Sequence, residues 1–150
     1  MSEAHTLNKS LVATNQRAAT REALLSALLP ADDLESEGLA LFAFDLDGEI
    51  IGYGGFESYG ESVLIRSIVV APARRRKGLG RGIVESVIAE ATKAGAARFY
   101  LLTTDARGYF EKLGFAVIER SCAPAAILST RQAAGLCPVS AALMVKALAG

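Results

Sequence analysis

The residues with most chemistry to offer gather in one turn. Residues 74–82 read Arg-Arg-Arg-Lys-Gly-Leu-Gly-Arg-Gly. Before them, Ile68, Val69 and Val70 form an apolar run of the kind that makes a buried strand, and Pro72 ends it for want of an N–H. After them, Ile83, Val84, Val87, Ile88 and Ala91 recur on one helical face, with Gly95 placed as a C′ stop. A strand, a glycine turn and a helix make a ready anion site. Free N–H groups at the helix start point outward, and the helix dipole favours negative charge there. Gly78 and Gly80 leave their amides unshielded by a Cβ, so a phosphate oxygen can approach. Each charge-assisted bond formed there contributes roughly 1.5–3 kcal/mol.

Spacing narrows the ligand. A Walker loop requires G-x-x-x-x-G-K-[ST], which the turn lacks. A dinucleotide fingerprint requires G-x-G-x-x-G, and the glycines here fall at Gly78, Gly80 and Gly82. What the residues spell is R-x-x-G-x-G, from Arg75 to Gly80. On those letters alone, a tight turn with solvated charges is an equally good reading. Metal and nucleophile chemistry have little to work with. His5 is the sole histidine, Cys122 and Cys137 are the two thiols, and no zinc-type spacing exists, so no metal is expected. A Ser–His or Cys–His pair would need His5 to fold back from the chain start.

The elements that must hold the turn read as follows. Residues 7–13 suit a first strand, behind a flexible tail over residues 1–8. Thr14 or Asn15 is placed to cap a helix whose buried stripe is Leu24, Leu25, Leu28 and Leu29, with Pro30 beyond it. Asp32, Asp33, Glu35 and Glu37 make an acidic connection, read as a solvated loop rather than a cation site. Residues 39–44, the Asp47-Gly48 turn and residues 49–57 form a hairpin. A Tyr59-Gly60 turn leads to a strand over residues 62–70, so the second, third and fourth strands are an antiparallel meander. A helix over residues 80–94 carries the chain to a fifth strand, residues 98–103, which must run parallel to the fourth. A short helix and turn over 105–115, a strand over 115–120, helical turns over 124–135 with Thr130 as a cap, and an apolar strand over 140–148 complete the chain. That last strand suits either the monomer's own sheet or a homodimer.

Composition sets outer bounds. The 150 residues suit one domain, able to bury about 68–70% of its unfolded surface. Sixteen basic and sixteen acidic residues cancel, which removes any general electrostatic case for nucleic acid. No apolar run nears the ~18 residues of a membrane helix, and the first ten residues lack signal-peptide regions. A cytoplasmic protein with no membrane partner is the expectation.

The R-x-x-G-x-G turn directly after a V-V-A-P strand end resembles the acyl-CoA-binding motif of the GNAT acetyltransferase superfamily. The second half of the signal is R-F-Y-L-L-T-T over residues 98–104, then D-A-R-G-Y-F-E-K-L-G-F over residues 105–115. It resembles the segment that follows the coenzyme strand in that family. The resemblance covers residues 42–117 well. G-F-E-S-Y-G, L-I-R-S-I-V-V and the ending L-C-P-V-S-A-A-L-M-V-K are similar to the arsenic-resistance N-acetyltransferases. L-L-T-T and the phenylalanine at position 110 resemble the acetyltransferase domain of N-acetylglutamate synthases.

The resemblance implies an α/β domain of the GNAT fold over residues 1–150. Its mixed, mostly antiparallel sheet would carry splayed parallel fourth and fifth strands. It implies acetyl-CoA as co-substrate and a small-molecule amine as acceptor, with an organoarsenical amino acid or glutamate as candidates. The diphosphate would rest on Arg75, Arg76, Lys77, Gly78, Leu79, Gly80 and Arg81, and the pantetheine arm would lie in the gap beside Ile68, Val69 and Val70. A strand N–H near those three residues would serve the oxyanion.

Amine acetylation also needs a neutral amine and a proton for the leaving thiolate. The family's usual tyrosine position holds Phe110, and Tyr109 stands one residue earlier, about 100° away around a helix. Tyr109 is therefore a candidate acid that does not inherit the role by position, and water is the alternative. Neutralising a lysine side chain at pH 7 costs over ~4 kcal/mol, against about one for an α-amine. That favours a small amine held near a carboxylate. Glu57 is the candidate to hold the ammonium or relay its proton, and Arg66 to clamp an acceptor carboxylate. A plain cross-strand ion pair explains both equally well. Thr103 and Thr104 are further acceptor or coenzyme contacts, or simple strand-end residues. Cys137 reads as a buried structural thiol more readily than as an arsenic ligand. A noncatalytic acyl-CoA sensor and a protein N-terminal acetyltransferase are the competing functions.

Overall fold

The computed structural model describes residues 7–13, 17–27, 38–71, 78–103, 106–128 and 141–147. The strands are β1 (Asn8–Leu11), β2 (Leu39–Leu46), β3 (Glu49–Tyr59), β4 (Ser62–Val70), β5 (Arg98–Thr103), β6 (Ala116–Ile118) and β7 (Ala142–Ala147). The helices are α1 (Ala18–Ser26), α2 (Leu79–Lys93), α3 (Arg107–Lys112) and α4 (Ala125–Leu128), with a 3₁₀ turn at Arg120–Cys122. The strands form one sheet in the order β1-β2-β3-β4-β5-β7-β6. Among the described residues only β4 and β5 pair in parallel, as a strand-helix-strand crossover demands.

Local chemistry sets the meander. Asp47 (φ 53°) and Gly48 (φ 89°) both take left-handed backbone, the two-residue turn whose twist suits a hairpin. The next turn falls on Gly60 and Glu61, because Tyr59 still pairs with Ser62 at the end of β3. Leu7, within the tail expected over residues 1–8, packs on the main core, and β1 opens at Asn8.

α2 lies hard against the sheet. Ile83, Val84, Val87 and Ala91 are fully buried on its inner face, and fully burying each large one stabilises the fold by about 1.5–3 kcal/mol. β3 makes room: a Cβ on Gly54 would sit 2.9 Å from Ile83 and 3.0 Å from Val87. The opposite face carries α1 and α4. Leu24 packs on Leu39, Leu41 and Val69, while Ile127 packs on Leu64, Tyr100 and Leu143.

α1 departs from the expected pattern. It starts at Ala18 with Arg17 at the N-cap, and Thr14, Asn15, Leu28, Leu29 and Pro30 lie outside the described residues. Its buried residues are Thr20 and Leu24, while Leu25 points to solvent at 56% exposure. Arg17 anchors the helix instead of a polar cap: its buried guanidinium donates to the Val12 and Leu39 carbonyls. β7 settles between β5 and β6, paired antiparallel to both, so it completes this chain's own sheet. The acidic connection, Thr130 and Cys137 lie outside the described residues.

Candidate active site

The site is made by a strand that changes register. β3 and β4 pair Gly55 with Arg66 and Tyr53 with Val69, so Ser67 and Ile68 together face Gly54. This is a β-bulge, which leaves one residue out of the ladder and bends the strand. Ser67 takes a left-handed φ of 62°, a conformation an L side chain adopts at a cost of about 1–3 kcal/mol and that concentrates at functional sites. The bulge also reverses the alternation of side chains. Val63 and Ile65 face α2, and without it Val69 would follow them. With it, Val69 joins Leu24 beneath α1, and Ile68 and Val70 pack on the α2 side.

On its other edge β4 is released. Its pairing with β5 covers Ser62, Val63 and Leu64 opposite Arg98, Phe99 and Tyr100, and stops there. β5 itself stays paired with β7 along its length. A parallel pair that opens partway leaves strand amides and carbonyls available to an extended ligand.

The opening leads to the mouth of α2. Gly78 is the N-cap, in left-handed conformation (φ 77°), a backbone only glycine adopts without cost. Among the described residues no side chain caps the helix, and its first turn contains no acid. The positive end of the dipole is therefore uncompensated by an acidic side chain of its own first turn. A Cβ on Gly78 would meet nothing within 4 Å, so the approach is clear. These features fit a diphosphate. Of the loop expected to hold it, Arg75, Arg76 and Lys77 lie outside the described residues. Leu79 packs on the main core. Arg81 turns to solvent, 3.0 Å from Glu85 one helical turn on.

α3 hangs over this mouth. Phe110 is 8% exposed and packs edge-on against Phe115 and Tyr109. The 100° step puts Tyr109 outside, 42% exposed. Its hydroxyl lies against Gly80, 2.8 Å from where a Cβ would stand. Tyr109 thus reaches the start of α2. Burial raises its pKa above the ordinary tyrosine value, against the opposing pull of Arg81, so the phenol stays protonated at neutral pH. Thr103 is committed locally: its hydroxyl accepts from the Ala106 N–H at 3.0 Å and shapes the entry to α3. Thr104 lies outside the described residues. Lys146, from β7, donates to the Leu113 carbonyl at the far end of α3 and fixes that end.

Glu57 and Arg66 do come together, on the α1 and α4 side of the sheet. Arg66 Nη1 donates to Glu57 Oε2 at 2.5 Å, and the side chains are 1% and 9% exposed. Tyr59 donates to the other carboxylate oxygen, a partner legible in the sequence as the residue two places along the same strand face. Arg66 Nε also reaches Ser67 Oγ at 3.4 Å, tying the pair to the bulge. The pair is buried, unlike the surface ion pair weighed from sequence.

Beside it, α1 and the end of β4 enclose a cleft of about 290 Å³. Ala19, Ala23 and Ser26 leave the space, residues 69–71 form the opposite wall, and Glu22 adds a carboxylate. Nothing in the local sequence around Glu22 marks it, because the cleft exists only where α1 crosses β4.

The bulged, partly unpaired strand feeds the mouth of α2, an arrangement able to take an extended ligand that ends in an anion. The chain belongs to the acetyltransferase (GNAT) family, whose model matches residues 7–115. It is 32% identical over 84 residues to an uncharacterized N-acetyltransferase of Chlorobaculum tepidum, a match covering 55% of this chain and 54% of that protein. The chain therefore aligns with about half the length of that relative. Among solved structures it resembles N-acetylglutamate synthase from Neisseria gonorrhoeae complexed with coenzyme A and N-acetyl-glutamate. The TM-score is 0.78 at 17% identity, over 99% of this chain and 37% of that one. It also resembles a GNAT-family acetyltransferase from Staphylococcus aureus, with a TM-score of 0.75 at 17% identity, over 96% of this chain and all of that one. At these identities the structural likeness speaks for the fold. Among the described residues no helix is long and apolar enough to cross a membrane.

Proposed function

We propose that this protein transfers the acetyl group of acetyl-CoA to the amino group of a small, amino-acid-like acceptor. The observation that carries the reading is the wedge between β4 and β5, open beyond Leu64 and Tyr100 and ending at the uncapped mouth of α2. In this reading the amides of Leu79, Gly80 and Arg81 hold the diphosphate, helped by Arg75, Arg76 and Lys77. In the same reading the pantetheine arm lies along β4 at Ile68, Val69 and Val70, and a strand N–H there serves the developing oxyanion. Holding both reactants in line supplies much of the acceleration.

Phe110 is packed in the core and carries no proton to give. Tyr109, at the start of α2, lies toward the diphosphate end of the wedge. Water is the donor we assign to the leaving thiolate. Glu57 and Arg66, locked by Tyr59, give the acceptor side a rigid polar floor, with Arg66 toward an acceptor carboxylate. The likeness to N-acetylglutamate synthase supports glutamate as a first acceptor to try. The arsenic-resistance resemblance adds an organoarsenical amino acid.

The test is thiol release from acetyl-CoA with the twenty amino acids, an arsenical amino acid and short peptides. Turnover with one or a few small amino acids is expected. Turnover confined to peptides would mean a protein acceptor. Coenzyme binding with no turnover would mark an acyl-CoA-binding module.

A further inference from the structure

We propose that Arg66 is a positioning residue: held by Glu57 and Tyr59, it fixes the β4 bulge and so aims the strand N–H that meets the oxyanion. This rests on the acetyl-transfer reading above. A left-handed φ at a residue other than glycine persists only where its surroundings over-determine it, and Ser67 holds 62° within the bulge. The bulge is held from both sides. After it, Val69 packs beneath α1 with Leu24, Leu39 and Leu41. Before it, Arg66 is the last residue in regular register, opposite Gly55. Gly55 carries no side chain to block the reach, and the buried guanidinium of Arg66 binds Glu57, two residues along β3. Tyr59 donates to the other carboxylate oxygen, so both oxygens of Glu57 are engaged. From this fixed guanidinium, Nε donates to Oγ of Ser67 at 3.4 Å, on the residue whose backbone is strained.

Stability alone does not call for such a network. Apolar residues of similar volume often replace a buried ion pair without loss. What charges and hydrogen bonds supply here is one defined geometry next to the bulge. A bulge re-aims the backbone groups around it, and the loss of one oxyanion donor costs about 10²–10³ in kcat. The network should therefore be felt in turnover more than in folding or in coenzyme binding.

The experiment compares the wild-type chain with Glu57→Met plus Arg66→Met, and with Ser67→Gly. The double variant keeps apolar bulk in the sheet, and glycine takes the left-handed backbone without cost. Each is followed by thermal melting, by calorimetry with acetyl-CoA, and by initial rates on the best amino acid of the twenty and on its carboxamide, which lacks the carboxylate. The double variant should melt near wild type and bind acetyl-CoA within about threefold, with kcat down at least about tenfold on both acceptors. Ser67→Gly should melt no lower than wild type and lose at least about threefold in kcat. Added to the double variant it should cost little more, because both act through one bulge. Wild-type kcat in the folded double variant overturns the proposal. So does a kcat loss confined to the amino acid, which would make Arg66 an acceptor contact only. If the double variant does not fold, Ser67→Gly decides: wild-type kcat there removes the tie to the bulge while acetyl transfer stands. No turnover by wild type on any amine overturns the acetyl-transfer reading and this assignment with it.

Discussion

Replacing Glu57 by alanine leaves the Arg66 guanidinium, 1% exposed at its side chain, in the sheet without its anion. Breaking a buried pair from one side costs about 3–5 kcal/mol, because the surviving charge has lost water and partner together. The Tyr59 hydroxyl loses its acceptor as well. Unfolding entropy scales with length, so 150 residues give roughly 0.3 kcal/mol per degree near the midpoint. The loss corresponds to a fall in Tm of about 10–16 °C, a large share of the ~5–15 kcal/mol that holds a domain together. Removing both charges at once, as Glu57→Met with Arg66→Met, should bring stability back to near wild type. Thermal scans and urea melts of the two singles and the double measure this directly. A Glu57→Ala shift under about 3 °C, or a double variant worse than both singles, would refute the buried-pair reasoning.

Three further outcomes follow from the geometry. Gly78→Glu places a carboxylate and a Cβ at the phosphate approach and should weaken acetyl-CoA binding at least a hundredfold by calorimetry; unchanged binding removes the helix mouth from the site. Tyr109→Phe should change kcat less than about threefold, and a loss beyond ~100-fold with folding intact would restore it as the acid. The Lys9 hydrogen bond holds the Glu90 carboxyl below its ordinary value of 4.5, against burial, with Lys93 assisting. A depressed carboxylate contributes stability above its unfolded pKa and loses it as pH falls through the folded one. The stability gap between wild type and Lys9→Met should therefore be full at pH 6 and shrink below about pH 4; a gap constant down to pH 3 would contradict the pairing.

Much of the scaffold is written in short-range signals. Asp47-Gly48 fixes the hairpin, the apolar run of Ile68, Val69 and Val70 marks the end of β4, and the period of Ile83, Val84, Val87 and Ala91 fixes α2. The glycine expected at the helix start is seen in its place, with Gly78 as the left-handed N-cap of α2. Phe110 and Tyr109 were separable because one helical step decides which is buried. The acceptor half was not legible. The bulge at Ser67 has no residue signature, as serine is an ordinary strand residue, yet it decides that Val69 faces α1. Glu57 loses its availability only when Arg66 and Tyr59 are both in place. The insertion of β7 between β5 and β6 is likewise a long-range choice. Helix α1 shows the limit in small: of the two leucines of the expected stripe among the described residues, Leu24 is buried and Leu25 exposed, and a buried arginine ties the helix start to the Val12 and Leu39 carbonyls.

A crystal structure of the chain with acetyl-CoA bound tests the central claim most directly. The diphosphate should rest on the amides of Leu79, Gly80 and Arg81, with the pantetheine arm lying along β4 and the thioester pointing toward the closed end of the wedge at Leu64 and Tyr100. A coenzyme seated elsewhere, or β4 and β5 paired through to Val70 and Thr103 with no room between them, would contradict it.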